Sequence, residues 1–303
     1  MTLNQTPNQE FAHLWESGIP GIELYRANLS RHRFGKHFHE SYTIGVNLSG
    51  QGNFQHQGQT YIACPGSFHL INPGTVHTGE VPPQMHWNFY DLYLSLPIVE
   101  TVLTQLECHS PLPAFREPVV MDRSLQILFH RLFHALSQPA TLLEQQSLLL
   151  EALSQLFLRH ADRCDRLPAP RPESKAVSQV RAYLEAHYAE SLSIDTLANL
   201  VGLSPFYLIR SFQQQVGLPP HAYQRQWQIL QVKRSLRAEA LEQRTDRSLC
   251  VATEGGSLRS RKPLADIALE HGFYDQSHLN RSFKQVFGIT PGQYRKGNFV
   301  QDR

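Results

Sequence analysis

Hydrophobic and polar positions alternate along the first third of the chain, between residues 19 and 95. Each short run is broken by glycine, proline or another turn-forming residue, which is typical of β-strands with one buried face. The predicted strands are 21–25, 42–48, 52–56, 61–63, 67–71 and 87–94. Glycine-containing turns at 49–52 and 57–59 are predicted to close hairpins. Short strands at this spacing favour a small barrel or jelly roll, which at this size can enclose one small ligand.

After residue 95 the hydrophobic positions recur every three or four residues, which predicts helices at 97–107, 121–137 and 141–161. The last of these carries a leucine stripe that includes Leu149, Leu153 and Leu156. Such a stripe is more often internal packing than a surface for a partner. The proline-rich stretch 167–173 predicts an extended, semi-stiff linker. A further helix is predicted at 174–188.

The last third of the chain carries one pattern of hydrophobic and polar positions twice. Residues 197–204 are matched by 267–274 at an offset of 70, and 208–223 are matched by 279–294 at an offset of 71. Eight or more positions matched in fixed order indicate a repeated structural unit. Hydrophobic residues spaced as on one helical face occur twice in each copy, with a glycine between them. Each copy is therefore predicted to form a helix, a tight turn and a second helix.

Particular residues mark the ends of these helices. Gly202 and Gly272 tolerate the left-handed conformation that often ends a helix. Ser204 with Pro205, and Asp275 in the second copy, are expected to cap the second helices. Two helices about a short turn, the second able to lie in a major groove, form the helix-turn-helix plan. A pair of plain helical hairpins is the structural alternative.

The predicted exposed faces of the two second helices favour DNA binding over plain hairpins. Arg, Gln and Asn are the side chains that make paired hydrogen bonds to guanine or adenine edges. The face of the first copy carries Phe206, Ile209, Arg210, Gln213 and Gln214. The face of the second copy carries Gln276, Ser277, His278, Asn280, Arg281 and Lys284.

A bridging helix is predicted between the two copies, from His221 to about Glu242. The stretch 241–261 that follows it is polar, contains glycine and serine, and shows no period. It is therefore predicted to be an inserted loop of roughly twenty residues, a length that loop-closure entropy tolerates.

Charge divides the chain unevenly. From Pro168 onward there are 18 Lys and Arg against 12 Asp and Glu, a net charge of +6, whereas the first 167 residues carry −4. A basic half agrees with a polyanionic partner, although +6 over this length is also compatible with ordinary surface charge.

Cysteine usage and the N-terminus bear on the compartment. The four cysteines are scattered, with no two spaced as in a zinc knuckle or a redox pair, so free thiols in a reducing compartment are expected. Residues 1–10 are polar and show no signal peptide. No apolar run approaches the roughly 18–20 residues that a membrane span needs. A cytoplasmic protein is expected.

On these motifs, residues 175–296 resemble the double helix-turn-helix domain of AraC/XylS-type bacterial transcription regulators. The matching residues are 265–268, Gly272, Phe273, 277–284, Phe287, Gly288, Thr290, Pro291, Tyr294 and Arg295. The resemblance implies two recognition helices that enter adjacent segments of the major groove, joined by a long helix. The inserted stretch 241–261 departs from the family, whose members pass almost directly from the bridging helix to the second copy.

The resemblance also implies which residues contact DNA. The base-contacting set is Phe206, Ile209, Arg210 and Gln213 in the first copy, and Gln276, Ser277, His278, Asn280 and Arg281 in the second. Ile209 departs from the family, where a polar residue is common at its position. Phosphate contacts are expected from Arg225, Lys233 and Lys284, and such contacts position a protein without reading sequence.

The N-terminal part resembles the cupin-type effector domain that precedes the helix-turn-helix pair in the same family. The matching residues are 37–40, Gly50, Gly52, Pro65, Gly66 and 72–77. The expected pocket for a small polar effector is lined by His37, His39, Tyr42, His77, Trp87 and Tyr93. For any single one of them, a hydrogen bond at the barrel end without ligand contact is about as well supported.

A metal site is the alternative for three of these histidines. His37 and His39 are two apart on a predicted strand, so they point to one face, and His77 would complete a three-histidine site. Metal-binding cupins also use a glutamate and a later histidine, in a frame that this chain fits only loosely. Glu40 would face away from His39. We therefore favour a pocket without a metal or other cofactor.

The expected partners are double-stranded DNA, a small-molecule effector and, by family analogy, RNA polymerase. A helix placed after the barrel commonly mediates dimerisation in this family. Leu149, Leu153 and Leu156 are therefore candidates for a homodimer interface.

These inferences predict an α+β chain with two domains. The expected parts are a cupin-like effector barrel (1–95), a helical segment (96–166), the linker (167–173) and a double helix-turn-helix domain (174–303) that contains the loop 241–261. The predicted function is that of an effector-responsive, sequence-specific transcription regulator, with activation the commoner role in the family, and not that of an enzyme. The alternative is a metal-dependent cupin enzyme, of dioxygenase or isomerase type, fused to a DNA-binding tail. A constitutive architectural DNA binder is a third, weaker option.

Overall fold

The computed structural model describes residues 10–56, 58–106, 112–162, 174–250, 261–287 and 289–296, without the side chains of 240–250. Packing divides the chain into two compact units. The first contains the described residues up to Gln138 and those from Leu148 to residue 162. The second contains Pro139–Ser147 and the described residues from 174 onward. The predicted linker 167–173 lies outside the described residues.

The described part of the first unit forms two antiparallel β-sheets. Its strands are β1 (Phe11–Glu16), β2 (Ile22–Leu29), β3 (Arg33–His37), β4 (Tyr42–Gly50), β5 (Gly52–His56), β6 (Gln59–Ala63), β7 (Ser67–Ile71), β8 (His77–Glu80), β9 (Trp87–Leu94) and β10 (Val119–Met121). The larger sheet has the order β1-β2-β9-β4-β7-β10, and the smaller has the order β3-β8-β5-β6. Inward-facing hydrophobic residues of the strands form a core that includes Ala27, Phe54, Trp87 and Phe89.

The six strands predicted from alternation are all present, whereas β1, β3, β8 and β10 were not predicted as strands. The turn at 57–59 does close a hairpin, since His56 pairs with Gln59. The turn at 49–52 does not, which is a correction. β4 pairs with β7 and β9 in the larger sheet, while β5 pairs in the smaller one, so this turn carries the chain from one sheet to the other. Local turn residues show a change of direction but not the sheet that the next strand joins.

Three helices follow or flank the strands: α1 (Leu96–Gln105), α2 (Arg123–Ser137) and α3 (Leu142–His160). The side chain of Asp122 caps α2 by accepting a hydrogen bond from the Leu125 amide. Leu149, Leu153 and Leu156 on α3 are buried within the chain. Their proposed role in a homodimer interface is therefore wrong for this structure, because the stripe is already used for internal packing.

The described part of the second unit is helical. Its helices are α4 (Ser174–Ala186), α5 (Ile194–Val201), α6 (Pro205–Val216), α7 (Pro220–Cys250), α8 (Leu264–Glu270), α9 (Gln276–Phe287) and α10 (Pro291–Arg295). The pairs α5–α6 and α8–α9 are the two predicted helix-turn-helix copies. The second copy packs on α7 through a core that includes Ile229, Val232, Ile267, Leu279 and Phe283.

The predicted helix ends are confirmed. Gly202 and Gly272 have φ angles of 67° and 78°, in the left-handed region. The Ser204 hydroxyl accepts a hydrogen bond from the Tyr207 amide at 3.3 Å, and Asp275 Oδ1 accepts one from the His278 amide at 2.6 Å. The capping and turn residues therefore predict correctly where α6 and α9 begin.

The bridging helix α7 is longer than predicted. It continues to Cys250, so residues 241–250 are helical rather than part of a loop, which is a correction. The segment 239–250 is rich in Glu, Ala, Leu, Gln and Arg and has no glycine or proline, so its helix propensity is high despite the lack of an apolar face. Residues 251–260 of the predicted insertion lie outside the described residues.

None of the helices among the described residues combines the length and the apolar character that crossing a membrane requires.

Candidate nucleic-acid interface and ligand pocket

The exposed face of α9 gathers most of the residues predicted to contact bases in the second copy. Gln276, Ser277 and Arg281 are exposed and Asn280 is half-buried. They recur at helical spacing on one side of α9, while Leu279 and Phe283 on the other side enter the core. Among the described residues, Arg281 has no ion-pair partner. We call Gln276, Ser277, Asn280 and Arg281 the α9 recognition face.

His278 does not belong to this face. Only 4% of it is exposed, and its ring meets the Phe273 ring edge-on at 5.3 Å between centroids. Burial lowers the pKa of His278 to about 4, with a smaller contribution from the Arg225 guanidinium. The predicted base contact from His278 is therefore corrected, because the ring lies inside the unit in this structure. The helical period alone cannot predict whether a residue at the border of the buried stripe, such as His278, is buried or exposed.

The first copy offers a narrower polar face. Ile209 is 2% exposed and Phe206 is 7% exposed, so neither side chain is presented for a base contact, which corrects both assignments. Gln213 is exposed and Arg210 is half-buried. The Arg210 guanidinium lies over the Phe206 ring, 5.4 Å from its centroid. Phe206 thus supports Arg210 rather than contacting DNA itself.

The three predicted phosphate contacts differ in their surroundings. Lys284 on α9 is exposed. Lys233 is half-buried, with its ammonium 4.5 Å from the centroid of the Phe287 ring, so it is packed within the second unit. Arg225 is also half-buried and forms an ion pair with Glu144. Of these three residues, only Lys284 is exposed to solvent, as a phosphate contact requires.

Glu144 was not identified from the sequence. It lies in Pro139–Ser147, the stretch that packs with the second unit although the chain on both sides of it belongs to the first. Burial raises the pKa of Glu144, but the Arg225 guanidinium outweighs that effect and the net pKa is below the usual value. Gln146, two residues later, accepts a hydrogen bond from the Ile194 amide at the start of α5 at 3.1 Å. Two side chains of this stretch therefore contact elements of the second unit.

The pocket of the first unit brings His37, His39 and His77 together, as predicted. The ring centroids of His37 and His77 are 4.2 Å apart, and those of His37 and His39 are 4.9 Å apart. The strand register explains this, since His37 and His77 are directly paired between β3 and β8. Burial lowers the pKa of His39, and it lowers the pKa of His77 to about 4. His39 and His77 are therefore uncharged near neutral pH.

Tyr93 and Trp87 also line the pocket, but Tyr42 does not. The Tyr93 ring lies 5.0 Å from the His39 ring, and both Tyr93 and Trp87 border the cavity. Tyr42 is buried on the other side of its strand, where its hydroxyl donates a 2.6 Å hydrogen bond to the Pro113 carbonyl. The assignment of Tyr42 to the pocket is thus wrong, because alternation along β4 turns its side chain towards the helices.

A buried polar network beneath the histidines was missed by the sequence analysis. His69 Nε2 lies 2.8 Å from Asp91 Oδ1, and the Trp87 indole donates a 2.8 Å hydrogen bond to Asn47 Oδ1. The His69 ring lies against Gly45 so closely that a Cβ there would come within 1.8 Å of Nε2. His69 and Asp91 lie inside hydrophobic strand runs, and polar residues in such runs were the available signal.

The cavity has an inner part and an outer part, and several residues line both of them. The inner part, of about 50 Å³, is bordered by the three histidines, His69, Asp91 and Trp87. An open groove of about 770 Å³ shares Tyr25, Phe34, His37, His39 and Tyr93 with it. A mostly apolar cavity with a few polar groups at one end suits a small molecule that presents polar atoms to the imidazoles.

Two known protein families match parts of this chain. Residues 19–153 match the AraC-like ligand binding domain. Residues 184–225 and 257–296 match the bacterial regulatory helix-turn-helix proteins of the AraC family. The stretch between the last two segments, residues 226–256, includes most of α7.

Curated relatives match over most of the chain. The uncharacterized HTH-type transcriptional regulator YbfI of Bacillus subtilis (strain 168) is 31% identical over 258 residues, covering 85% of this chain and 86% of that protein. The arabinose operon regulatory protein of Escherichia coli (strain K12) is 25% identical over 261 residues, covering 85% and 81%. The HTH-type transcriptional activator RhaS of Enterobacter sp. (strain 638) is 30% identical over 121 residues, covering 40% and 36%.

Proposed function

Because this chain belongs to the AraC family, and is thus an effector-responsive DNA-binding transcriptional regulator, we propose that it is an activator in which α9 and α6 contact bases and the histidine-lined pocket receives the effector. The observation that carries the DNA part of the proposal is the α9 recognition face. Its amide and guanidinium groups are exposed on a helix whose opposite side is fixed in a core. These are the groups that form paired hydrogen bonds with adenine and guanine edges.

The proposed base contacts follow exposure rather than position in the repeat alone. They are Gln276, Ser277, Asn280 and Arg281 in the second copy and Arg210 and Gln213 in the first. Arg210 is supported by the Phe206 ring, which restricts where its guanidinium can point. The second copy offers the larger polar face, so we expect it to contribute more of the sequence preference.

The remaining parts of the proposal rest on the family. We expect a homodimer that acts with RNA polymerase in the cytoplasm, where bacterial DNA lies. The RhaS relative is a transcriptional activator, which supports an activating role for this chain. The relatives reported above are transcriptional regulators, and this chain is likewise proposed to have no catalytic activity.

The experiment that tests the proposed function is selection of bound sequences from random duplex DNA, carried out with and without a metabolite library. A defined motif whose enrichment changes with one metabolite is the expected result. Equal binding to all sequences would contradict the proposal and favour an architectural binder. Turnover of a metabolite by the purified chain would favour the cupin enzyme instead.

Lys284→Ala is expected to weaken binding about equally for all DNA sequences and to reduce the salt slope of log K by about 1, since one phosphate contact is lost. Lys233→Ala is the matched control, because that ammonium packs on the Phe287 ring. It should lower thermal stability and leave the slope unchanged. Fluorescence anisotropy titrations at several salt concentrations measure both slopes. An unchanged slope for Lys284→Ala would remove its phosphate role.

The stretch Pro139–Ser147 is the proposed route from effector to DNA-binding unit. The chain leaves the first unit at Gln138, contributes these residues to the second unit and returns at Leu148. Within it, the carboxylate of Glu144 forms an ion pair with the Arg225 guanidinium, a group expected from the sequence to contact a DNA phosphate. A rearrangement of the first unit that withdrew Glu144 would release this cation.

Glu144→Gln is therefore expected to raise DNA affinity in the absence of effector by about 5- to 10-fold, a typical allosteric coupling. It should also steepen the salt slope by about 1, because Arg225 becomes able to contact a phosphate. Glu100→Gln, which changes an exposed glutamate of α1, is the matched control and should alter neither quantity. Unchanged or weaker binding by Glu144→Gln would rule out this restraint.

A further inference from the structure

The three pocket histidines are arranged as ligands to a common centre. Each offers a ring nitrogen, and these three nitrogens lie within 4.8 Å of one another. His37 and His77 face each other across the β3–β8 pair, and His39 follows β3 directly. In a tetrahedral zinc site with zinc–nitrogen distances of about 2.0–2.1 Å, the nitrogens lie about 3.3 Å apart. Small side-chain rotations of the half-buried His37 and His39 would close the difference.

In two of the three rings, those of His37 and His77, a hydrogen bond determines which nitrogen can bind a metal. His37 Nδ1 lies 2.8 Å from the Gly35 carbonyl oxygen, and His77 Nδ1 lies 2.9 Å from the Thr75 carbonyl oxygen. A carbonyl oxygen only accepts, so Nδ1 carries the proton in both rings. When the ring is in its neutral form, the lone pair is then on Nε2. Orientation of a ligating imidazole by a hydrogen bond from its other nitrogen to a backbone carbonyl is a common property of protein metal sites.

The chemistry of the set selects the kind of ion. Three imidazole ligands suit zinc and other late first-row divalent ions, whereas calcium and magnesium prefer oxygen ligands. The site also has a nearby negative charge. Asp91 lies beneath the histidines and receives a 3.4 Å hydrogen bond from the Tyr93 hydroxyl. That carboxylate would offset part of the charge of a divalent ion in a partly buried site.

We propose that His37, His39 and His77 bind a zinc ion in this pocket through three imidazole nitrogens, with a fourth coordination position open to the groove. Three protein ligands and one open position are the usual arrangement of zinc that also binds a small molecule. An oxygen or nitrogen donor of the effector, or water, would occupy that position. The sequence frame of these residues favoured a pocket without a metal, and the three-dimensional arrangement reverses that preference.

The test uses the full chain, purified without a polyhistidine tag and stripped with a chelator. Calorimetric titration with zinc should give one equivalent per chain, confirmed by elemental analysis after desalting. Cobalt(II) should bind at the same stoichiometry and give the intense visible absorption of a four-coordinate site. His39→Ala and His37→Ala should each weaken zinc binding by more than about 100-fold, since loss of a ligand exceeds the 10- to 100-fold effect of losing an outer partner.

His13→Ala is the matched control, because His13 is an exposed histidine on β1 of the same unit. It should bind zinc like the parent chain. Circular dichroism of each metal-free variant establishes that the fold is retained. Absence of stoichiometric zinc binding, or undiminished binding by His39→Ala and His37→Ala, would overturn the proposal. DNA binding has no part in this readout, so such a failure would leave the regulator assignment intact.

Discussion

Arg281→Ala is expected to reduce affinity for the selected DNA motif by about 1–3 kcal/mol and to relax the preference at one base pair. The guanidinium is exposed on the α9 recognition face, and among the described residues it has no ion-pair partner that would restrain it. A bidentate contact from arginine to guanine O6 and N7 is the commonest specific contact in the major groove. Loss of one such contact removes discrimination at that base pair.

The measurement compares binding of parent and variant to the selected motif and to each single-base change of it. Arg116→Ala, an exposed arginine of the first unit, is the control for the loss of one positive charge. It should leave both affinity and preference unchanged. If Arg281→Ala weakens binding to every sequence by the same factor, the side chain contacts phosphate and the base contact is disproved.

Gly272→Ala is expected to destabilise the second unit by about 2–5 kcal/mol. Gly272 has a φ of 78°, where an L-residue costs about 1–2 kcal/mol. A Cβ at this position would also lie 2.6 Å from the Ala189 carbonyl oxygen and 2.7 Å from Gln228 Nε2. Overpacking of this kind typically costs a further 1–3 kcal/mol. Because the carbonyl belongs to backbone, the neighbour cannot simply rotate away.

Gly202→Ala separates the two effects. Gly202 occupies the equivalent turn of the first copy with a φ of 67°, but nothing lies within 4 Å of a Cβ placed there. It should therefore show only the conformational cost of about 1–2 kcal/mol. Chemical denaturation followed by fluorescence measures both variants. Equal destabilisation by the two substitutions would show that the contact with Ala189 is not restrictive.

Much of this fold could be predicted because its determinants are local. Alternation predicted β2, β4, β5, β6, β7 and β9, and the capping residues predicted the starts of α6 and α9. The repeat showed that two similar units exist. Strand β3 was missed because its residues are mostly polar, and β8 because its four residues, HTGE, include no large apolar side chain. Strand β1, FAHLWE, is mostly apolar, but its apolar and polar residues do not alternate.

The site was predicted less completely, because it depends on contacts between distant segments. His37 and His77 lie side by side because they are paired between β3 and β8, and the resemblance to cupins predicted that they would be close. Nothing in the local sequence shows that Glu144 reaches Arg225, which is 81 residues away. The same limit explains Ile209 and His278, whose helical positions lie at the edge of the buried stripe. At such an edge, packing decides whether a side chain faces core or solvent.

The central proposal for this protein is that α6 and α9 each contact bases in the major groove. Guanine N7 methylation interference on the selected duplex tests it directly. We predict interference in two major-groove segments about one helical turn apart, roughly 10–10.5 base pairs. Arg281→Ala should abolish it in one segment and Arg210→Ala in the other. Interference that is absent, or that is lost from the same segment in both variants, would show that α6 and α9 do not contact bases in separate segments.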